Sequence, residues 1–158
     1  MIVDYMMNIV LVEPEIPQNT GNVSRTSVLT NSTLHLIEPM GFSIEDRYLK
    51  RAGLDYWDHL KYKVYQSWDH FLESNPDGRF FFFSTKGGRY YADISFKEGD
   101  YLIFGSETSG LPSWLIEGKS NVYRIPMRTC VTRSLNLSNT VAVVLFESLR
   151  QQGFPGMS

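Results

Sequence analysis

The chain has 158 residues, 42% hydrophobic and 20% charged, with a formal net charge of -2. That is the profile of one soluble globular unit with a core to bury, and it excludes a surface coated in basic charge while leaving room for a local basic patch. The one cysteine, Cys130, excludes an intrachain disulfide framework or a cysteine-rich zinc site and fits a reducing cytosol. Met1 to Met7 has neither the positive charge nor the apolar run of a signal peptide or membrane span. Met6 or Met7 is an alternative start, with leader residues before it, and no linker or low-complexity stretch divides residues 1–158.

In chain order, Asn8 to Val12 is a continuous apolar run of the kind buried in a parallel sheet. Glu13 to Gln18 follows as a loop stiffened by Pro14 and Pro17. Asn19-Thr20-Gly21-Asn22 leads into a short helix, Val23 to Thr30, with Asn19 or Thr20 as its cap. The next expected elements are a strand at Thr33 to Ile37, a helix from Ile44 to Ala52 stopped by Gly53, a strand at Tyr62 to Tyr65 and a helix from Trp68 to Leu72. Strands follow at Arg79 to Phe83, Asp100 to Phe104 and Asn121 to Ile125, with one helical turn at Ser113 to Ile116. A helix from Thr140 to Gln152 closes the order, capped by Ser138 or Asn139 and stopped by Gly153 and Pro155. Alternating strands and helices imply an α/β domain with a mostly parallel sheet flanked by helices.

Three polar loops fall at strand or helix ends: Asn19 to Asn22, Gly105 to Gly110, and Ser134 to Asn139. Glycine allows close approach of a ligand to the backbone, and amides at helix starts favour a ligand's acceptor atoms. Each loop alone reads equally well as an ordinary turn; together they outline a site beyond the strand ends. There is no Gly-x-Gly-x-x-Gly after the first strand and no phosphate loop ending in Gly-Lys-Ser/Thr. His35, His59 and His70 are scattered, so no metal site is expected. Among Glu13, Glu15, Glu38 and Glu107, the loop carboxylates Glu15 and Glu38 read as solvated. Glu107, between glycine turns, is the candidate for a ligand-facing or loop-fixing role.

Basic residues gather at Arg47, Lys50 and Arg51, at Lys86 and Arg89, and at Arg124, Arg128 and Arg133. Tyr48, Tyr56, Trp57, Tyr90 and Tyr91 lie near them in sequence. The pattern suits phosphates and unstacked bases, and equally a solvated basic face.

From about Asn8 to Gly156 the chain resembles the SPOUT-superfamily RNA 2′-O-ribose methyltransferases. Asn19-Thr20-Gly21-Asn22-Val23-Ser24-Arg25-Thr26 is similar to their first motif, and Gly105-Ser106-Glu107-Thr108-Ser109-Gly110-Leu111-Pro112 to their second. Ile125-Pro126-Met127 with Ser134-Leu135-Asn136-Leu137-Ser138-Asn139 is similar to their third. Leu36 to Phe42, Arg51 to Tyr56 and Arg150 to Gly156 resemble the small subgroup that methylates the wobble ribose, cytidine or uridine 34, of leucine tRNAs.

The resemblance implies a C-terminal trefoil knot, S-adenosyl-L-methionine as cofactor, an obligate homodimer, a tRNA anticodon stem-loop as partner and a cytoplasmic location, with no metal and no membrane. It implies that Phe83, Gly105, Ile125 and Ser134 line the cofactor pocket, largely through backbone. It places Arg25 on the ribose 2′-hydroxyl, with Asn19, Glu107 and Asn136 ordering the loops around it. The segment between Met127 and Arg133 is longer than the family's usual length. Asn31 stands where glycine is common, which a left-handed residue tolerates. An arginine stays protonated, so Arg25 is expected to favour the alkoxide as a cation rather than act as a base. The alternatives are methylation of another RNA ribose, or a non-catalytic RNA-binding protein on the same fold. Val141, Leu145, Phe146 and Leu149 are more apolar residues than one face of the last helix needs, which would suit a twin subunit.

Overall fold

The computed structural model describes residues 6–52, 56–128 and 134–158. Its strands are β1 (Asn8–Val12), β2 (Thr33–Ile37), β3 (Tyr62–Tyr65), β4 (Phe80–Phe83), β5 (Arg89–Tyr90), β6 (Tyr101–Phe104) and β7 (Val122–Arg124). Its helices are α1 (Pro17–Leu29), α2 (Arg47–Ala52), α3 (Trp68–Ser74), α4 (Ser113–Ile116) and α5 (Leu137–Gln151), with 3-10 turns at Trp57–His59 and Tyr91–Asp93. The sheet order is β3-β2-β1-β6-β4-β7-β5, and all six described pairings are parallel.

The apolar strands are continuous because both sheet faces are covered. Ile9 and Leu11 of β1 join Leu34, Leu36, Leu102 and Phe104 in a core closed by Val141, Val144, Leu145 and Leu149 of α5. Val10 and Val12 point the other way, into a core with Phe71 of α3 and Leu115 and Ile116 of α4. The four phenylalanines of β4 divide in the same manner: Phe83 falls in the first core and Phe82 in the second, and Phe81 and Phe80 pack against them respectively.

Two boundaries differ from expectation in ways that matter for function. α1 begins at Pro17, so Asn19 to Asn22 is helix rather than loop. Pro17 suits the first helical position because its fixed φ is helical and no N–H is wasted there. The buried face of α1 is Asn19, Thr20, Gly21, Val23, Ser24 and Ser27, which has no apolar periodicity to detect. The hydroxyls of Ser24 and Ser27 donate to the carbonyls of Thr20 and Val23, one turn back, so they can be buried. α5 begins at Leu137, and its cap is Asn136 rather than Ser138 or Asn139: the Asn136 side chain accepts the Ser138 N–H.

Smaller corrections follow. α2 starts at Arg47, where Asp46 Oδ1 accepts the N–H groups of Tyr48 and Leu49. β5, only two residues long, carries no pattern that alternation detects. Asn31 is left-handed, at φ 53°, as expected for that position. Of the apolar residues expected in excess on α5, Val141, Leu145 and Leu149 belong to this chain's own core. Phe146 is exposed, and Val143 joins it. Arg133, Cys130, most of the segment between Met127 and Arg133, and Gly53 to Asp55 lie outside the described residues.

One hydrogen-bonded polar chain runs along the α3 side of the sheet, through His35 at the middle of β2. Tyr101 donates to Asn75 Oδ1 (2.9 Å), Asn75 Nδ2 to the Tyr65 oxygen (3.4 Å), and Tyr65 to His35 Nδ1 (2.9 Å). His35 Nε2 then donates to Asn8 Oδ1 (2.9 Å), and Asn8 Nδ2 to the Gly99 carbonyl (3.0 Å). Every donor has an acceptor only if His35 is neutral, with its proton on Nε2. Burial, seconded by the charge of Lys63, lowers the His35 pKa from 6.5 to about 4.

Unfolded His35 therefore binds a proton below about pH 6.5, whereas the folded chain resists protonation until about pH 4. Stability from this group is present in full above the unfolded value and is lost as pH falls through that window, by ~3 kcal/mol in all. Urea denaturation at pH 7 and pH 4.5 should show the native chain losing ~2–3 kcal/mol more than a His35→Gln variant. Equal losses in the two proteins would contradict the neutral buried imidazole.

Candidate active site

The C-terminal ends of β4, β6 and β7 and the start of α5 enclose a cavity of about 580 Å³. Such a crevice at strand tips is where open α/β sheets bind ligands. Phe83, Gly105, Ile125 and Ser134, the four residues expected to hold a cofactor, all line it. The rings of Phe83 and Phe104 stack at 5.0 Å, and both belong to the cavity wall. Leu135, Leu137 and Thr140 also line it. They carried no separate signal, since a leucine or threonine at a helix start reads as packing.

The loop after β6 folds back on itself. Ser106 N–H donates to the Gly110 carbonyl (3.3 Å) and Gly110 N–H to the Ser106 carbonyl (3.0 Å). Gly110 sits at φ 66°, a conformation that favours glycine. A Cβ on Gly105 would lie 2.0 Å from the Gly110 carbonyl carbon. Glycine at position 105 is thus required by the chain's own loop.

Glu107 projects from this loop onto the start of α1. Its Oε1 accepts the Glu15 N–H (2.9 Å), and its Oε2 accepts the Ile16 N–H (2.5 Å) and Asn19 Nδ2 (3.4 Å). α1 has no capping side chain of its own, and a carboxylate from the second motif instead holds the two residues that lead into it, Glu15 and the N-cap Ile16. Negative charge at a helix N-terminus is also favoured by the helix dipole, by ~0.3–1 kcal/mol. The Thr108 hydroxyl reaches the Glu15 carboxylate at 2.8 Å from each oxygen. Glu15, read from sequence as solvated, is a second tie between the same two segments.

The tie continues into α5. Asn136 Nδ2 donates to Asn19 Oδ1 (3.0 Å), while Asn136 Oδ1 accepts the N–H and hydroxyl of Ser138 (2.9 and 2.6 Å). Glu107, Asn19 and Asn136, far apart in sequence, are therefore one hydrogen-bonded series. Of the four residues expected to be catalytic, these three come together. Arg25 stands apart: it is exposed, about two turns into α1, with its guanidinium 5.4 Å from the centre of the Tyr56 ring. It is not among the residues lining the cavity.

Electrostatically, the cavity wall is uneven. Lys86, Arg124 and Arg128 line it with Glu107, whose oxygens are engaged as above. Among the described residues no three His, Cys, Asp or Glu side chains gather as a metal site would need. No described helix is long and apolar enough to cross a membrane.

Comparison with known proteins fits this geometry. Residues 6–146 match the SpoU rRNA Methylase family. A tRNA (cytidine(34)-2'-O)-methyltransferase of Burkholderia cenocepacia is 52% identical over 155 residues, covering 96% of this chain and 99% of that protein. A protein of the same description from Saccharophagus degradans is 48% identical over 153 residues, with the same coverage. A structure reported as giving insights into the 2-OH methylation of C/U34 on tRNA superposes with a TM-score of 0.90 at 43% identity, over 95% of this chain and 98% of that one. A Sinorhizobium meliloti rRNA methyltransferase with bound AdoMet shares the fold, with a TM-score of 0.83 at 20% identity over 94% of this chain and 57% of that one.

Proposed function

Because the chain belongs to the SpoU rRNA Methylase family, we propose that it methylates the ribose 2′-hydroxyl of the wobble nucleotide, cytidine or uridine 34, in leucine tRNAs, with S-adenosylmethionine as donor. The observation that carries this reading is the cavity at the strand tips. It brings Phe83, Gly105, Ile125 and Ser134 around one space, held in place by the Glu107–Asn19–Asn136 series. Its volume, about 580 Å³, is that of a small-molecule site. Its wall combines the apolar Phe83, Phe104, Leu111 and Ile125 with the glycine-rich backbone of 105–110, a mixture suited to a ligand with an aromatic ring and a polar tail. The near full-length identity to the Burkholderia cenocepacia enzyme supports nucleotide 34 as the target.

S-adenosylmethionine supplies a methyl group already activated on a sulfonium. What remains for the chain is alignment of the hydroxyl and stabilisation of its developing negative charge. Arg25 does the second as a permanent cation, which, since it lies outside the cavity wall of its own chain, requires the ribose to lie between the cavity mouth and the exposed side of α1. Asn19, Glu107 and Asn136 do the first indirectly, by fixing α1 and the start of α5 against the cavity loop. The reading includes a trefoil knot in the C-terminal quarter and action in the cytoplasm on the anticodon stem-loop.

Two copies of the chain act together in this reading. Val143 and Phe146 are 38% and 42% exposed, one turn apart on α5, an apolar pair left partly open among the described residues. Light scattering at micromolar concentration should give twice the 18.2 kDa of one chain; a monomer would exclude the pairing.

Transfer of labelled methyl to bulk tRNA, with the label mapped to nucleotide 34 of leucine isoacceptors, tests the activity. No transfer by the unaltered protein would favour a non-catalytic RNA-binding role. Single-turnover methylation at saturating cofactor and tRNA should fall on the order of 10²-fold in Arg25→Ala, with Arg25→Lys recovering part of it. A near-normal rate in Arg25→Ala would leave that residue only a binding role.

A further inference from the structure

The basic wall of the cavity has a structure of its own. β5 and β7 pair with Arg89 opposite Tyr123 and Tyr90 opposite Arg124. Successive side chains on a strand point to opposite faces, so the two pairs occupy opposite sides of the sheet edge. In each, an arginine lies over the facing tyrosine: Arg89 at 5.4 Å from the Tyr123 ring, and Arg124 at 5.1 Å from the Tyr90 ring. The Arg89–Tyr123 pair faces a separate shallow groove with Arg79 and Asp93. The Arg124–Tyr90 pair faces the cavity, where Lys86 and Arg128 also stand exposed.

This cationic edge exceeds what a cofactor requires. S-adenosylmethionine carries one carboxylate against a sulfonium and an ammonium, so several lysine and arginine side chains at its mouth would on balance repel it. The chain as a whole is acidic, at a net charge of -2, so the local excess is not a general surface property. A polyanion is the ligand that such an edge attracts. Tyr90 is still 43% exposed with Arg124 over it, leaving ring surface for a base to stack on.

Resting on the tRNA-methylating reading above, we propose that Lys86, Tyr90, Arg124 and Arg128 form the RNA-gripping rim of the site. Lys86 and Arg128 bind the phosphates that flank the methylated nucleotide. The Arg124–Tyr90 pair is a flat platform for a neighbouring unstacked base.

The test is tRNA binding by anisotropy across a salt series, with S-adenosylmethionine binding measured separately by calorimetry. Lys86→Ala and Arg128→Ala should each flatten the log affinity against log salt plot by about 0.7, the slope of one single-strand phosphate contact. Cofactor affinity should stay that of the unaltered protein, since those charges do not serve it. Tyr90→Leu should weaken tRNA binding about tenfold with the salt slope unchanged, and Tyr90→Phe should restore it, because stacking needs the ring and not the hydroxyl. Unchanged slopes in a protein that still methylates tRNA would overturn the rim alone. Loss of cofactor affinity with tRNA binding intact would assign these cations to the cofactor's carboxylate instead. Absence of tRNA binding by the unaltered protein would overturn both the rim and the function it rests on.

Discussion

Two backbone N–H groups at the entry to α1, those of Glu15 and Ile16, have as their partner the carboxylate of Glu107. Glu107 is remote in sequence, on the loop after β6, and α1 has no side-chain cap of its own. These bonds tie the loop to the chain entering the helix, so loop and helix constrain each other. The constraint then passes through Asn19 to Asn136, the cap of α5. Three segments that each resemble an ordinary turn become a single frame around the cavity.

The sheet makes this frame possible. Its strands are apolar on both faces and closed by α5 on one side and by α3 and α4 on the other, so their tips are fixed by packing on both sides. Within the sheet a buried polar exception is His35 at the middle of β2, kept neutral and satisfied by Tyr65 and Asn8. At the strand tips, the carboxylate of Glu107 is engaged by backbone N–H groups and Asn19, which leaves Lys86, Arg124 and Arg128 to set the sign of the field at the cavity mouth. An acidic chain can in this way present a basic face where an RNA must approach.

The strands were legible because burial on both faces writes an unbroken apolar run. The cavity residues Phe83, Gly105, Ile125 and Ser134 were legible only through the resemblance of the motifs around them. Nothing in the spacing of one phenylalanine, one glycine, one isoleucine and one serine points to a common wall. The start of α1 was missed for a physical reason. A helix face of Asn19, Thr20, Gly21 and Ser24 has no hydrophobic period, and the entry to the helix is held by Glu107 from the loop after β6, where no local pattern records it. The misreading of Glu15 has the same origin, since its partner Thr108 is likewise non-local. From sequence Gly105 suggests room for a ligand, whereas the nearest obstacle to a side chain there is the backbone of Gly110. The β5 edge, two residues long, leaves no strand pattern in the sequence, although its arginine and tyrosine are of the types that bind phosphates and bases.

The account stands on Glu107 and Asn136 acting as one unit through Asn19, which hydrogen-bonds to both. A double-mutant cycle on S-adenosylmethionine binding, with Glu107→Gln, Asn136→Ala and the pair, measures this directly. Glutamine keeps the size of the side chain but places an NH₂ where Oε1 or Oε2 now accepts an N–H. The predicted result is that each single change weakens binding and that the double variant falls short of their sum by about 0.5 kcal/mol or more, the coupling expected within one hydrogen-bond network. Additivity to within about 0.3 kcal/mol, as independent sites show, would contradict the claim that the three segments form a single frame.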